Sequence, residues 1–167
     1  MNRRRIIVMR HAKSSWKSDA PDDHSRPLTK RGRRDAPRVA AHLAGLGWTP
    51  DRVLSSDARR TRETWELMED AFSPTPVVSF HRDLYLAGPA EVEEHVGGLA
   101  GDVRCVLVLG HNNGWQDVVE WLSGEDVGLT TANAALLSAP GDTWPDAIAA
   151  APRWKLHSIV RPRELDD

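Results

Sequence analysis

The sequence predicts an α/β fold, a three-layer α/β/α sandwich around a mainly parallel sheet of roughly six strands. Short apolar runs of strand length alternate along the chain with longer segments in which apolar residues recur at helical spacing. This alternation is typical of βαβ crossovers, which connect parallel strands through helices that cover the sheet. From the length of 167 residues we expect a single domain over residues 1–160 and a frayed C-terminal tail over residues 161–167.

The N-terminal part of the chain predicts a buried strand, a long loop and a helix. Residues 4–9 end in four consecutive apolar side chains, which is typical of a central parallel strand, and residues 12–28 are mostly polar. Thr29 is a suitable N-cap for the following helix, because its hydroxyl can accept a backbone hydrogen bond. Pro37 interrupts the helical pattern at a cost of about 3 kcal/mol, so we expect either a kink or an effective start near Ala36.

The remaining elements alternate in the same way. Residues 52–55 are predicted to form the second strand, and residues 57–72 the second helix, whose Ser-Ser-Asp entry offers capping oxygens. The last two strands are expected to be neighbours, and the final one has the period-two alternation of an edge strand. The later elements are, in chain order, a strand at 76–80, a helix at 90–99, a strand at 104–109, a helix at 114–122 and strands at 134–138 and 154–160.

The composition argues against several classes of protein. A net charge of −2 disfavours a dedicated binder of polyanions, and the basic runs at residues 3–5 and 30–34 are expected to be solvated faces, so we expect no nucleic-acid partner. The single cysteine, Cys105, lies in an apolar strand, which predicts a buried thiol and no intrachain disulfide. No apolar stretch approaches the ~20 residues that span a bilayer, and no signal peptide is evident. We therefore expect a cytoplasmic protein without a membrane partner.

Two histidines follow predicted strands at the point where each strand ends. Arg10 and His11 close the apolar run of the first strand, and His111 follows the strand at residues 104–109. Because the carboxyl ends of parallel strands open onto one crevice, we expect the two imidazoles to meet there. The guanidinium of Arg10 presents a planar set of donors that matches phosphate oxygens. These residues predict a metal-free phosphatase with a histidine nucleophile.

Two segments resemble motifs of a known family. The segment Arg10–Trp16 resembles the R-H-G-x-S-x-W opening of the histidine phosphatase superfamily, which includes the phosphoglycerate mutases. The segment Ser55–Thr64 is similar to the S-x-x-x-R-A-x-x-T turn of that family, which supplies a second phosphate arginine. The match points to Arg60 rather than Arg59, although either arginine taken alone is typical of a solvated helix face.

Two further segments also match the family's motifs, and all four motifs occur along the chain in the family's order. The segment Arg26–Gly32 is similar to the R-P-L-T-x-x-G loop, and Leu109–Gly114 resembles the G-H-N-x-G turn. The short chain and the segment Asp83–Ala87 look closest to the small branch of protein phosphohistidine phosphatases. The chain has little room for an inserted cap between Tyr85 and the strand at residues 104–109. An open cleft is therefore expected, which would admit a phosphate carried by a protein.

The resemblance implies a phosphoglycerate mutase-like fold and a phosphohistidine intermediate. His11 is the implied nucleophile, and Arg10, Arg60 and His111 are the implied ligands of the phosphate oxygens. Cations around the phosphate make protonation of His11 unfavourable, which keeps its nucleophilic form populated near neutral pH.

No metal or cofactor is implied. The acids of the long loop are expected to face water on a flexible segment rather than to form a Mg²⁺ site; they are Asp19, Asp22 and Asp23. Lys13 and Ser14 either add donors to the phosphate or shape the loop. Lys17 stands where the mutases usually have asparagine, so the resemblance does not carry that contact over.

The proton donor is the remaining role to assign, and the larger family usually gives it to a glutamate after the third strand. Asp83 is our candidate, because it lies between that strand and Tyr85; its alternative role is a helix or turn cap. Glu91 is a poorer candidate, since it starts the following helix, where a carboxylate is expected anyway. A weak acid would suffice for a phosphoramidate, whose imidazole can depart already protonated, whereas an alkoxide cannot leave without help.

The sequence thus favours a phosphatase acting on protein phosphohistidine or on a phosphomonoester. One alternative is a phosphotransferase or mutase, which needs a closed site that excludes water; the small cap disfavours it. The other is a non-catalytic phosphate-binding module, which would need only the basic groups and neither His11 nor His111. The expected partner is a phosphorylated protein or a small phosphorylated substrate.

Overall fold

The computed structural model describes residues 2–165 and confirms the α/β/α sandwich. The strands are β1 Arg3–Arg10, β2 Arg52–Ser56, β3 Val77–His81, β4 Cys105–Gly110, β5 Ala134–Pro140 and β6 Lys155–Val160. The helices are α1 Lys30–Gly45, α2 Arg59–Met68, α3 Pro89–Gly97, α4 Gly114–Ser123 and α5 Trp144–Ile148. The six strands have the order β3-β2-β4-β1-β5-β6, and β5 runs antiparallel to both neighbours while the other pairs in the described chain are parallel.

β1 lies inside the sheet and is covered on both faces. Ile6 and Val8 pack into the apolar cluster formed with α3, α4 and α5, whereas Ile7 and Met9 pack into the cluster formed with α1 and α2. All four side chains are fully buried. Full burial of one such side chain stabilises the fold by about 1.5–3 kcal/mol, which is why a central strand is apolar on both faces.

The register of β1 against β4 places the two predicted histidines side by side. The strands are parallel, and Arg10 pairs with Gly110 at their carboxyl ends. The next residue of each strand is therefore a histidine, and the backbone N–H of His11 donates to the carbonyl of Gly110 at 3.0 Å. Two segments a hundred residues apart in sequence meet at this edge because of that pairing.

Helix α1 begins where its cap predicts, and Pro37 lies inside it. The hydroxyl of Thr29 accepts from the backbone N–H of Gly32 at 3.1 Å, and helical residues follow from Lys30. The expected start near Ala36 is therefore wrong. The helix continues through Pro37 because its buried face packs on the sheet, and such packing outweighs local propensity.

Helix α2 departs from the prediction at both ends. Its N-cap is Ala58, which has no side-chain oxygen, and Ser56 Oγ instead accepts from the Ala58 N–H at 3.2 Å. The expected capping oxygen is thus present, but it accepts from the N-cap residue itself and not from an N–H inside the helix. The last predicted turn is a separate 3₁₀ turn at Glu69–Ala71.

Two short elements near the C-terminus were not predicted. α5 has only five residues, too few to show helical periodicity, although Thr143 caps it by accepting from the Asp146 N–H. Pro162–Glu164 form a 3₁₀ turn, and the carbonyl of Leu165 accepts from Arg38 Nη2 at 2.9 Å. The expectation of a frayed tail is thus wrong as far as Leu165, and positions 166–167 lie outside the described residues.

Other sequence expectations can be checked directly. Cys105 is a buried free thiol, and burial followed by the charge of Asp51 raises its pKa to about 12, so it is unreactive near neutral pH. Within residues 2–165, every helix is too short or too polar to cross a bilayer.

Candidate active site

The segments after β1, β3 and β4 and the start of α2 enclose a cleft of about 230 Å³ that contains most of the predicted site residues. The ring centroids of His11 and His111 are 5.3 Å apart, and Arg60 Nη2 lies 3.2 Å from His111 Nδ1. The lining residues are Arg10, His11, Trp16, Asp23, Arg26, Arg60, Leu86, His111 and Asn112. The structure thus brings together four of the five residues that the sequence nominated.

His11 is held as a neutral imidazole with a defined tautomer. Its Nδ1 lies 2.7 Å from the carbonyl oxygen of Ala12, which can only accept, so Nδ1 carries the proton. Burial, together with the charges of Arg60 and Arg10, lowers the pKa of His11 to about 3. The lone pair therefore resides on Nε2, and the ring is in its nucleophilic form throughout the neutral pH range.

His111 has the opposite tautomer. Arg60 Nη2 can only donate, so Nδ1 of His111 accepts, and its protonated Nε2 donates to Ser56 Oγ at 2.8 Å. Burial is the main cause that lowers the pKa of His111 to about 2, and His11 and Arg60 add to it. The second imidazole is thus neutral as well, and its orientation is fixed from both sides of the ring.

Three guanidinium groups give the cleft its charge. Arg60 is only 2% exposed although it carries a full charge, and its Nη1 donates to the Asp23 carbonyl at 2.7 Å. Arg10 Nη1 donates to the Leu129 carbonyl at 3.1 Å, and burial, followed by the charge of Arg60, lowers the pKa of Arg10. The Nε atoms of Arg10 and Arg60 are buried and bond to no group in the described chain. Buried, unpaired cationic donors are costly, which is the arrangement expected where an anion binds.

Asp23 is a site residue that the sequence prediction missed. Its carboxylate accepts from Arg60 Nη2 at 3.0 Å, from Arg26 Nε at 3.0 Å and from the hydroxyl of Tyr85. Burial alone would raise its pKa, but the bonds from Tyr85 and Arg60 and the arginine charges together lower the pKa to about 2. The expectation that Asp23 faces water on a flexible loop is therefore wrong: it is an ionised partner of two cleft arginines.

Tyr85 links the segment after β3 to the cleft. Besides donating to Asp23, its ring meets the ring of His111 edge-on at a centroid distance of 5.4 Å. Gly114 permits this approach, because a Cβ atom there would overlap the carbonyl oxygen of Ala87. The glycine of the G-H-N-N-G turn thus lets the 85–87 segment pack directly against the turn that carries His111.

The long loop after β1 is pinned rather than free. Arg26 Nη1 donates to Ser14 Oγ at 3.1 Å, and its guanidinium stacks 3.5 Å from the ring centroid of Trp16 at the mouth of the cleft. The carbonyl of Lys13 accepts from both the N–H and the hydroxyl of Thr29, which closes the loop onto the start of α1. Of the two roles left open for Lys13 and Ser14, these contacts favour shaping the loop.

The candidate proton donor does not lie in the cleft. Asp83 is in the 3₁₀ turn after β3, its side chain is 55% exposed, and its two carboxylate oxygens lie 3.0 and 2.9 Å from Nε2 of His95. The chain turns between Asp83 and Tyr85, so only Tyr85 reaches the site. This placement corrects the assignment of Asp83. Glu91 accepts from the Gly88 N–H at 2.9 Å and caps α3, as expected for a carboxylate at that position.

Comparison with known proteins places the chain in a family. The model of the histidine phosphatase superfamily (branch 1) matches residues 6–83. An uncharacterized chloroplastic protein of Arabidopsis thaliana is 41% identical over 172 residues, which cover 95% of this chain and 78% of that protein. The chain belongs to the histidine phosphatase superfamily.

Two solved histidine phosphatase structures resemble the whole chain. The candidate phosphohistidine phosphatase SixA from Nakamurella multipartitia has 27% sequence identity and a TM-score of 0.85, covering 97% of this chain and 98% of its own. The candidate SixA protein from Agrobacterium tumefaciens has 26% identity and a TM-score of 0.80, covering 95% and 98%. The resemblance extends through the C-terminal third, where the sequence motifs give little information.

Proposed function

We propose that the protein is a metal-independent phosphatase that hydrolyses its substrate through a phosphoryl group carried on Nε2 of His11. The observation that supports it is the neutral His11 ring, whose Nδ1 proton is held by the Ala12 carbonyl, beside three arginines in one cleft. A phosphate-binding module would need the arginines but not this oriented lone pair. The SixA-like structures add support, since their names describe phosphohistidine phosphatases.

The first step forms an Nε2–P bond on His11 while the bond from phosphorus to the leaving group breaks, and the leaving group takes that electron pair. A water molecule then attacks phosphorus, the Nε2–P bond breaks as its electron pair returns to Nε2, and both protons of the water leave with the inorganic phosphate. Two displacements replace one difficult hydrolysis. The Ala12 carbonyl keeps the Nδ1 proton in place and so stabilises the charge that develops on the ring during attack.

The arginines supply the electrostatic part of catalysis. Three guanidiniums face a single carboxylate, so the cleft has a positive balance that suits a phosphate dianion. The guanidiniums of Arg10 and Arg60 line the cleft together with His111, so all three side chains can face the non-bridging oxygens. Donors fixed in a partly buried site stabilise the transferring phosphoryl group without reorganisation during the reaction.

The acids in the cleft favour one class of substrate. Asp23 is the sole carboxylic acid among the described lining residues, and with a pKa of about 2 it is ionised and cannot donate a proton near neutral pH. Burial and the bond to Asp23 raise the pKa of the Tyr85 hydroxyl, which makes it a weak donor. Leaving groups that need no proton from the enzyme are therefore favoured over alkoxides. The imidazole of phosphohistidine is such a group, because it can depart already protonated. Protein phosphohistidine is the substrate class we propose, and a cytoplasmic location remains the prediction from sequence.

A substrate panel tests this function. Purified enzyme, treated with chelator, should hydrolyse a phosphohistidine peptide fastest, an aryl phosphate more slowly and an alkyl phosphate slowest. Vanadate should inhibit all three reactions. Strict dependence on a divalent ion would reject the mechanism, and an alkyl phosphate hydrolysed as fast as the phosphohistidine peptide would reject the substrate class.

Trapping the intermediate tests the nucleophile. Rapid quenching with labelled substrate should yield a protein-bound phosphate that is stable in alkali and lost in acid, which is the signature of phosphohistidine. Peptide mapping should locate the label at position 11. A label that survives acid, or one located elsewhere, would contradict the assignment of His11.

A further inference from the structure

We propose a second site on this protein, a surface site for a divalent transition-metal ion, with Zn²⁺ as the expected occupant, formed by His81, Asp83 and His95. It lies outside the cleft and is independent of the proposed phosphatase reaction. Each of the three residues offers one ligand atom, and these atoms all lie within 4.8 Å of one another. No other group of three such side chains within residues 2–165 meets that condition.

The backbone holds the three groups together from two elements. His81 ends β3, Asp83 follows in the 3₁₀ turn, and His95 comes from the last turn of α3. The rings of His81 and His95 have centroids 4.3 Å apart, and Nε2 of His95 lies between the two oxygens of Asp83 at 3.0 and 2.9 Å. An imidazole nitrogen already aimed at a carboxylate needs little movement to share a cation with it.

The donor set suits zinc. Two imidazoles and one carboxylate are the ligand types of zinc sites that keep a fourth position for water, and such ligands also bind other late first-row ions. Tetrahedral zinc with bonds of about 2.0–2.1 Å places its ligand atoms roughly 3.3 Å apart, so the three donors need to close by no more than about 1.5 Å. The side chain of Asp83 is 55% exposed, which leaves room for that movement and for a water ligand.

The electrostatics of the cluster differ from those of an anion site. The bonds given to Asp83 by the described residues come from His95 and from no arginine. A cation would therefore replace the hydrogen bond between Asp83 and His95 with two stronger contacts.

Calorimetric titration of tag-free protein with Zn²⁺ alone tests the proposal. The wild-type chain should bind one ion per molecule, and Co²⁺ should give the visible absorption of a four-coordinate nitrogen and oxygen site. His95→Ala should weaken Zn²⁺ affinity about tenfold or more, because it removes one of three protein ligands. Asp83→Asn is the gentler variant: it keeps the shape and the surface position, and it should lose the rise in Tm that Zn²⁺ gives the wild type.

Two controls separate this site from other histidines. His42→Ala removes an exposed imidazole on α1, and His11→Ala removes one from the cleft; both variants should bind Zn²⁺ like the wild type. Cys105 does not compete, since its thiol is buried and protonated. Absence of Zn²⁺ binding to the wild type, unchanged binding by His95→Ala and Asp83→Asn, or loss of binding in His11→Ala would each overturn the proposal.

Discussion

The molecule contains two clusters with the same side-chain types and opposite surroundings. Each has two imidazoles with centroids about 5 Å apart or closer and one aspartate nearby. In the cleft the histidines are almost fully buried and the aspartate pairs with arginines, whereas at the end of β3 the aspartate is largely exposed and pairs with a histidine. The cleft cluster is His11, His111 and Asp23; the outer cluster is His81, His95 and Asp83.

The neighbours, rather than the residues themselves, decide the chemistry. Three arginines around the cleft cluster leave net positive charge, so the lone pair of the neutral His11 ring lies in a cleft that suits an anion. The carboxylate of the outer cluster pairs with an imidazole and with no arginine among the described residues, and this donor set favours a cation. A list of histidines and aspartates in the sequence would treat the two clusters alike, and four experiments test the difference between them.

The largest difference in kcat is expected between variants of a cleft histidine and of an outer-cluster histidine. His11→Ala removes the proposed nucleophile and should lower kcat for an aryl phosphate by at least about a thousandfold. His95→Gln in the outer cluster should keep kcat within about twofold, because its ring contacts Asp83 and His81 and not the cleft. Steady-state kinetics on both purified variants measures the contrast. Turnover retained by His11→Ala would show that another group attacks phosphorus.

Substitution of Arg60 should give the next largest loss of kcat. Arg60→Ala removes a buried charge that faces His111 and Asp23, and kcat should fall about a hundredfold or more. Arg60→Lys should recover little, since an ammonium group cannot reproduce the two-donor geometry. Arg59 is the matched control: it is exposed, it pairs with Glu63, and Arg59→Ala should leave kcat nearly unchanged. Equal losses at positions 59 and 60 would contradict the assigned position.

Much of the cleft could be predicted because strand ends are visible in sequence. His11 and His111 each follow an apolar run, and parallel neighbours bring such positions together. Arg60 is different: among the three arginines of residues 59–62 it has no distinguishing local pattern, and only the resemblance to a family selected it. Its burial depends on α2 packing beside the loop after β1, which local periodicity does not encode.

The features that the sequence did not predict depend on contacts between distant residues, on side-chain direction in turns, or on elements too short to show a period. Asp23 lies in a polar loop, and its partner Arg60 is 37 residues away, so no spacing rule connects them. Asp83 is two residues from Tyr85, yet the turn between them sends one side chain to solvent and the other to the cleft. Helix α5 is one turn long and has no period to detect. The fold was therefore predictable from apolar patterns, whereas side-chain direction in loops was not.

Substitutions of Asp23 and Asp83 should differ less in their effects on kcat and KM. Asp23→Asn removes the charge that aligns Arg60 and Arg26, so kcat should fall about tenfold while KM for phosphate esters falls too, because the cleft becomes more positive. Asp83→Asn should keep both parameters within about twofold. Measurement of kcat and KM separately distinguishes a positioning role from a general loss of fold. A loss in Asp83→Asn confined to alkyl phosphates would restore Asp83 as the proton donor.

The smallest expected effect is on stability in acid. The pKa of His111 is about 2 in the folded protein and about 6.5 when unfolded, so as pH falls below about 6.5 the unfolded chain takes up a proton that the folded protein excludes. The free energy of unfolding should therefore decrease from pH 6.5 downwards, by at most about 1.4 kcal/mol per pH unit for this histidine. His111→Asn cannot titrate, so its urea-unfolding free energy should fall less steeply between pH 7.5 and pH 5 than that of the wild type. Parallel pH profiles for the two proteins would mean that His111 takes up its proton at the same pH in the folded protein as in the unfolded chain. The buried imidazole of the cleft would then behave like an exposed one.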